Sequence, residues 1–163
     1  MKQYFDTFLK VIDALGKAQV DYVLIGGYAV VIYGHPRFTE DMDLFIRLER
    51  DNVDRLRYAL DSVFHDVSLE ELTAEDIDQY PVIRYGAPNG FCIDIIARIG
   101  EMYGYDDMEH EIIEIEGHHL RIATPETLFR MKKGTVRPQD HLDAEFLKKL
   151  IEQRKKVEVV HGD

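Results

Sequence analysis

Two glycines and three aspartates constrain this chain more than any other feature. Gly26-Gly27 follows the apolar run Tyr22-Val23-Leu24-Ile25, and thirteen residues then lead to Asp41-Met42-Asp43. A third carboxylate, Asp94, lies inside a later apolar run, Phe91-Cys92-Ile93-Asp94-Ile95-Ile96. Residues two apart on a strand point to the same face, so Asp41 and Asp43 share one. Asp is disfavoured in strands, and a charge inside an apolar strand needs a partner or a metal ion. If the Asp94 strand lies beside that of Asp43, three carboxylates converge at one sheet edge. Such a cluster suits Mg²⁺ or Mn²⁺, hard cations that prefer oxygen ligands. A diglycine after a strand lets the backbone turn sharply and approach a bound group closely. Phosphate beside a divalent cation is the chemistry this pattern suggests.

The rest of the chain narrows the class. Its 163 residues suit one domain, 1–163, with a core over about 20–123 and C-terminal helices over about 124–155. With 45% apolar and 31% charged residues it reads as soluble and globular. No apolar run reaches the ~20 residues of a membrane-spanning helix, and no secretory apolar segment follows the N-terminus, so a cytoplasmic location is expected. Cys92, the lone cysteine, is expected to be a buried, inert thiol. A net charge of −11 argues against broad nucleic-acid binding, which depends on Lys and Arg at phosphates. Arg154-Lys155-Lys156 reads as a solvated helix end.

Hydrophobic spacing predicts mixed α/β structure with a helical last quarter. Phe5, Phe8, Leu9, Ile12 and Leu15 mark a helix over 3–18. A strand at 22–26 precedes a short helix, Tyr28 to Tyr33, and Met42 to Arg47 is a strand. Asp51-Asn52 can cap a helix carrying Val53, Leu56, Leu60 and Val63. Thr73 to Tyr80 suits a short helix before Pro81. Val82–Tyr85 and Phe91–Ala97 suggest one hairpin, and Glu111–Glu116 with His118–Ala123 a second, turning at Glu116-Gly117. Thr124 and Pro125 supply an N-cap and first helical residue, with a stop near Gly134. Pro138 opens a final helix with an apolar stripe of Leu142, Phe146, Leu147, Leu150 and Ile151.

Gly26-Gly27, the thirteen-residue spacing, Asp41-x-Asp43 and a distant strand aspartate together resemble the polymerase-beta-like nucleotidyltransferase superfamily. Arg37-Phe38-Thr39-Glu40-Asp41-Met42-Asp43 is similar to that superfamily's Arg-x-Ser/Thr-x-Asp-x-Asp form. The C-terminal quarter is similar to the small bacterial AbiEii-like branch, through Pro125-Glu126, Lys132 and Arg137-x-x-Asp140-x-x-Asp143. The resemblance spans about residues 20–147. It implies a nucleotidyltransferase-like mixed, twisted sheet with flanking helices. It also implies an Mg²⁺- or Mn²⁺-dependent enzyme that moves a nucleoside monophosphate from NTP to an acceptor hydroxyl, releasing pyrophosphate. The acceptor is RNA, a protein or a small molecule, and the branch carries a link to toxin–antitoxin systems. By the same resemblance Asp41, Asp43 and Asp94 are catalytic and metal-binding, while Gly26, Gly27, Arg37 and Lys132 hold the nucleotide. Many relatives have Gly-Ser where this chain has Gly26-Gly27. The alternative is a catalytically silent nucleotide- or partner-binding module on the same fold.

Other residues carry competing readings. Arg37 either forks onto phosphate or pairs with Glu40 or an aspartate of the trio. Lys132 either offsets triphosphate charge or, like Lys133, is a solvated helix-end lysine. Asp140 can cap the last helix, and Asp143 reads as structural. His118-His119 face opposite ways on a strand and lack partners at ligand spacing, which argues against zinc. His35 reads as a turn residue. Tyr28, Tyr33, Tyr85 and Tyr103 could stack a base, but core packing is the ordinary explanation.

Overall fold

The computed structural model describes residues 2–100, 104–132 and 137–161. Tyr103, Lys133 and the expected helix stop at Gly134 lie outside the described residues. The elements run α1 (Lys2–Lys17), β1 (Tyr22–Ile25), α2 (Gly26–Ile32), β2 (Asp41–Ile46), α3 (Arg50–Phe64), α4 (Ala74–Gln79) and β3 (Ile83–Gly86). They continue with β4 (Cys92–Ile96), β5 (His110–Ile115), β6 (His118–Ala123), α5 (Pro125–Lys132) and α6 (Pro138–His161). A 3₁₀ turn at Val67–Glu71 precedes α4. The strands form one six-stranded mixed sheet in the order β3-β4-β2-β1-β6-β5. Among the described residues no helix is long and apolar enough to cross a membrane.

Helical spacing in α1 places Phe8, Val11, Ile12 and Leu15 on one fully buried stripe. That helix packs against α3 and β6, and α2 packs on β1 and β2. Each large side chain so buried contributes about 1.5–3 kcal/mol, before the cost of ordering it. The second hairpin turns where expected: Glu116 and Gly117 both have positive φ, 49° and 82°, as a tight two-residue turn demands. Thr124 caps α5 through its Oγ1, which accepts from the Thr127 N–H at 3.2 Å.

Several local expectations are corrected. The diglycine opens α2 rather than preceding it. Helix α3 begins at Arg50 with Glu49 at its N-cap, so Asp51-Asn52 do not cap it. Asn52 is instead fully buried. Its Oδ1 accepts from the Asp21 N–H at 2.7 Å, and its Nδ2 donates to the carbonyls of Asp21 at 3.0 Å and Arg47 at 2.8 Å. The two carbonyls also accept from the Arg47 and Glu49 N–H groups, so Asn52 ties together a backbone junction that is already partly paired. Leu142 is exposed, because Asp143 and Leu147 take the inward positions of α6. Cys92 is half-buried, since it lies on the less covered face of β4. Arg154 is not a free helix end. It forks onto Glu111 of β5 at 3.1 and 3.2 Å and lies over the Tyr33 ring.

Candidate functional site

Alternation along β2 and β4 separates two faces. Met42, Leu44, Ile93 and Ile95 go into the core, which leaves Asp41, Asp43 and Asp94 on the opposite side. The two strands are neighbours and parallel, with Asp43 directly opposite Asp94. Strand β3 adds on antiparallel and places Arg84 opposite Asp94, while β1 places Ile25 opposite Asp43. A row therefore crosses four strands: Arg84, Asp94, Asp43, Ile25. Asp41 stands one pleat along on the same face. The carboxylates sit on inner strands, not at the lateral sheet edge expected from sequence, because the β3–β4 hairpin folds β3 over that side.

Arg84 reaches across the row. Its Nε donates to Asp94 Oδ1 at 2.8 Å, and Nη2 donates to Asp94 Oδ2 at 3.1 Å and to Asp41 Oδ2 at 3.0 Å. Those contacts hold the guanidinium charged more firmly than usual, Asp94 first and Asp41 second. Asp43 has no such cation. Burial pushes its carboxyl up to about 7, helped by the Asp94 charge, a hydrogen bond to Asp94 and the Asp41 charge, while Lys132 opposes the rise. Asp43 thus holds a proton close to neutral pH. Among the described residues no three His, Cys, Asp or Glu side chains are arranged to hold a metal ion. The aspartates are instead disposed around a guanidinium. As donors the trio still fits a hard divalent cation: three carboxylates share one face, two of them directly opposed.

Both glycines have a steric reason. Gly26 has φ +75°, and a Cβ there would overlap the Asp43 carboxylate. A Cβ on Gly27 would fall 2.5 Å from Thr39 Oγ1 and 2.7 Å from Arg37 Nη1. The space a serine would use at position 27 is therefore already held by the Thr39 hydroxyl and the Arg37 guanidinium.

The opposite wall of the cleft is a second charged cluster, centred on Asp143 of α6. Asp143 is 0% exposed. Arg37 Nη1 donates to its Oδ2 at 3.1 Å, Gln139 Nε2 donates to its Oδ1 at 3.0 Å, and Lys132 Nζ stands 3.3 Å from Oδ2. Lys132 also donates to Asp140 Oδ1 at 2.9 Å. His35 Nε2 lies 3.5 Å from Asp143 Oδ1, with its ring stacked on Phe146. Arg37 thus pairs with neither Glu40 nor the aspartate trio, because the buried Asp143 is the stronger claimant. Its Nε is buried with no hydrogen-bond partner among the described residues. Lys132 is not solvated either: its side chain is only 17% exposed. Between the two walls lies an open cleft of about 580 Å³, bordered by Gly27, Thr39, Asp41, Asp43, Arg84, Asp94, Lys132 and Arg137.

All seven residues singled out from sequence belong to these two walls or to the α2 turn between them. Arg84 was missed, although hairpin arithmetic could have found it. A turn centred on Asn89 pairs residues whose numbers sum to a constant, which sets Arg84 opposite Asp94. Thr39 drew attention only as part of a motif. The three candidate tyrosines that are described follow the ordinary reading: Tyr28 stacks on Phe8 at 4.7 Å, Tyr85 is buried, and Tyr33 donates to Glu111 and the Ala123 carbonyl.

The fold is similar to several solved structures. One is an antigenic nucleotidyltransferase-like protein from Paracoccidioides brasiliensis, with 22% identity, 87% of this chain and 76% of that one covered, and a TM-score of 0.56. Another is the lincosamide antibiotic adenylyltransferase LnuA bound to lincomycin, with 16% identity, 88% and 95% covered, and a TM-score of 0.61. A third is ANT(2")-Ia in complex with adenylyl-2"-tobramycin, with 16% identity, 99% and 96% covered, and a TM-score of 0.53. No curated protein matches the chain. A family model matches residues 4–161, nearly the whole length, and by it the chain belongs to the family described as nucleotidyl transferase of unknown function (DUF2204).

Proposed function

We propose that the protein is a metal-dependent nucleotidyltransferase working as a single domain, 1–163, in the cytoplasm. It transfers a nucleoside monophosphate from NTP to an acceptor hydroxyl and releases pyrophosphate. One observation carries this reading: Asp43 faces Asp94 in parallel register, with Asp41 on the same face and the Gly26-Gly27 turn against them. Asp41, Asp43 and Asp94 would hold Mg²⁺ or Mn²⁺, which when bound supplies neutralising charge at the attacking and leaving oxygens. The chain's own groups do the rest. The backbone at Gly26 and Gly27 receives the triphosphate beside the Thr39 hydroxyl and the Arg37 guanidinium. Arg37 keeps Asp143 with one nitrogen and has Nε–H left over, a donor that a phosphate oxygen satisfies. Lys132 adds positive charge to the same wall. Asp94, directly opposite Asp43, accepts the proton of the acceptor hydroxyl.

The acceptor is a small molecule, by likeness to the antibiotic adenylyltransferases named above, or else RNA or a protein. We also place the chain near the AbiEii-like branch, with its toxin–antitoxin connection, because Lys132, Asp140 and Asp143 of that branch's pattern meet in one cluster. A second reading, a module that holds nucleotide without turnover, is favoured by one observation: Arg84 already neutralises two of the three carboxylates.

Thermal unfolding with each of four NTPs, with and without Mg²⁺, tests the assignment. A ligand at ~100-fold excess over Kd adds about 2.7 kcal/mol, which moves the midpoint several degrees. The expected result is an Mg²⁺-dependent shift with one NTP that Asp43→Asn abolishes. Pyrophosphate release with an accepted hydroxyl then separates enzyme from silent module. A shift that survives Asp43→Asn overturns the site.

A further inference from the structure

The two walls of the cleft differ in whether their cations can leave. Arg37 and Lys132 are fixed on a carboxylate with no solvent exposure. Arg84 is different: 59% of its side chain is exposed, and it stands on β3, an edge strand with no neighbour beyond it among the described residues. Its guanidinium nevertheless occupies both oxygens of Asp94 and one of Asp41.

We propose that Arg84 is a built-in counter-ion that makes divalent cation and nucleoside triphosphate enter this cleft together rather than separately. The proposal rests on the nucleotidyltransferase reading above and adds a residue and a binding order to it. A divalent cation arriving alone must displace Arg84 from Asp94 and Asp41. It leaves that guanidinium unpaired a few ångströms from a like charge. A cation arriving with a triphosphate meets no such penalty, because the phosphate oxygens offer the displaced guanidinium a planar, two-pronged partner. Arg84 therefore exchanges one anion for another. The long side chain, the solvent-facing position and the open strand edge allow that movement. A coupling of this kind is reciprocal: whatever the nucleotide adds to cation affinity, the cation adds to nucleotide affinity.

The test is calorimetric titration of Mn²⁺ into the wild-type chain and into Arg84→Gln, each with and without a saturating non-hydrolysable triphosphate analogue. Mn²⁺ alone should bind Arg84→Gln about fivefold more tightly, the upper range for removing an exposed ion pair. The gain that the analogue brings to Mn²⁺ binding should shrink by a similar factor. Arg84→Lys, which keeps the charge but loses the fork, should fall between the two. Equal Mn²⁺ affinity and equal gain in all three chains overturn the role of Arg84 while leaving the carboxylate site standing. Mn²⁺ binding that is absent from every chain, with and without the analogue, overturns the carboxylate site and this proposal with it.

Discussion

The cleft has two charged walls, and they solve the same electrostatic problem in opposite ways. Around Asp143 the carboxylate is buried, and Arg37, Lys132, Gln139 and His35 surround it. Charge there is satisfied by the fold itself, in a place where water cannot substitute for a lost partner. Along β2 and β4 three carboxylates share one exposed cation and one proton that is only loosely held at neutral pH. Charge there is left incomplete, on a face that solvent and ligands reach. The difference teaches where to look for stability and where for binding. A saturated, buried cluster fixes geometry, and an undersaturated, accessible one is free to change partners.

Substitutions can break or sharpen that contrast. The largest effect should come from Asp143→Ala, which strands Arg37 without its buried partner and leaves Lys132 with Asp140 alone. A loss of about 3–5 kcal/mol is expected, or an unfolding midpoint lower by roughly 6 °C or more. A drop under about 2 °C would mean that this wall is not structural. Next is the pH dependence of Asp43. Its carboxyl lies near 3.8 when unfolded and at about 7 when folded, so between those values the folded state holds a proton that the unfolded state has released. Stability without added cation should therefore fall as pH rises from about 4 to about 7, by roughly 2–4 kcal/mol. Asp43→Asn should flatten that slope, as measured by denaturant titration at several pH values. A wild-type slope of the opposite sign would contradict the crowding of carboxylates.

Between the walls stands Gly27. Gly27→Ser should cost about 1–3 kcal/mol by overpacking against Thr39 and Arg37, and adding Thr39→Ala should restore part of it. Simple additivity of the two changes would show that they do not share the space. The smallest effect belongs to Arg84→Gln, which should move the midpoint by no more than about 2 °C despite removing three hydrogen bonds. If Arg84→Gln destabilised as much as Asp143→Ala, the distinction between the walls would collapse.

The sheet and most of its helices were legible because their signals are local. Short apolar or alternating runs marked the six strands of the described residues, and Thr124-Pro125 and Glu116-Gly117 marked a helix start and a turn through their own backbone preferences. The carboxylate trio was legible because aspartate inside an apolar strand is unusual wherever that strand ends up. What stayed hidden depends on partners distant in sequence. Asn52 looked like a cap, since nothing nearby in sequence points to the Asp21 N–H, 31 residues away, from which it accepts. Arg37 looked free for Glu40 because its true partner lies 106 residues away. Leu142 looked like core because an apolar residue and a charged one next to it, Asp143, competed for the inward position. The charged residue won through the Arg37 and Lys132 cations, with the Gln139 amide donating to it as well.

Helix α6 is fastened at two places, by Asp143 to the cleft and by Arg154 to Glu111 on the far edge strand. Eleven residues separate these anchors, close to three full turns and about 16 Å. Both therefore point the same way, toward the sheet. One residue inserted or deleted between them would swing one anchor about 100° around the helix axis relative to the other. The exposed side chains in that stretch are free to vary, but their number is not. The length of this segment is thus held by phase: the chain keeps count there even where it is indifferent to what is being counted.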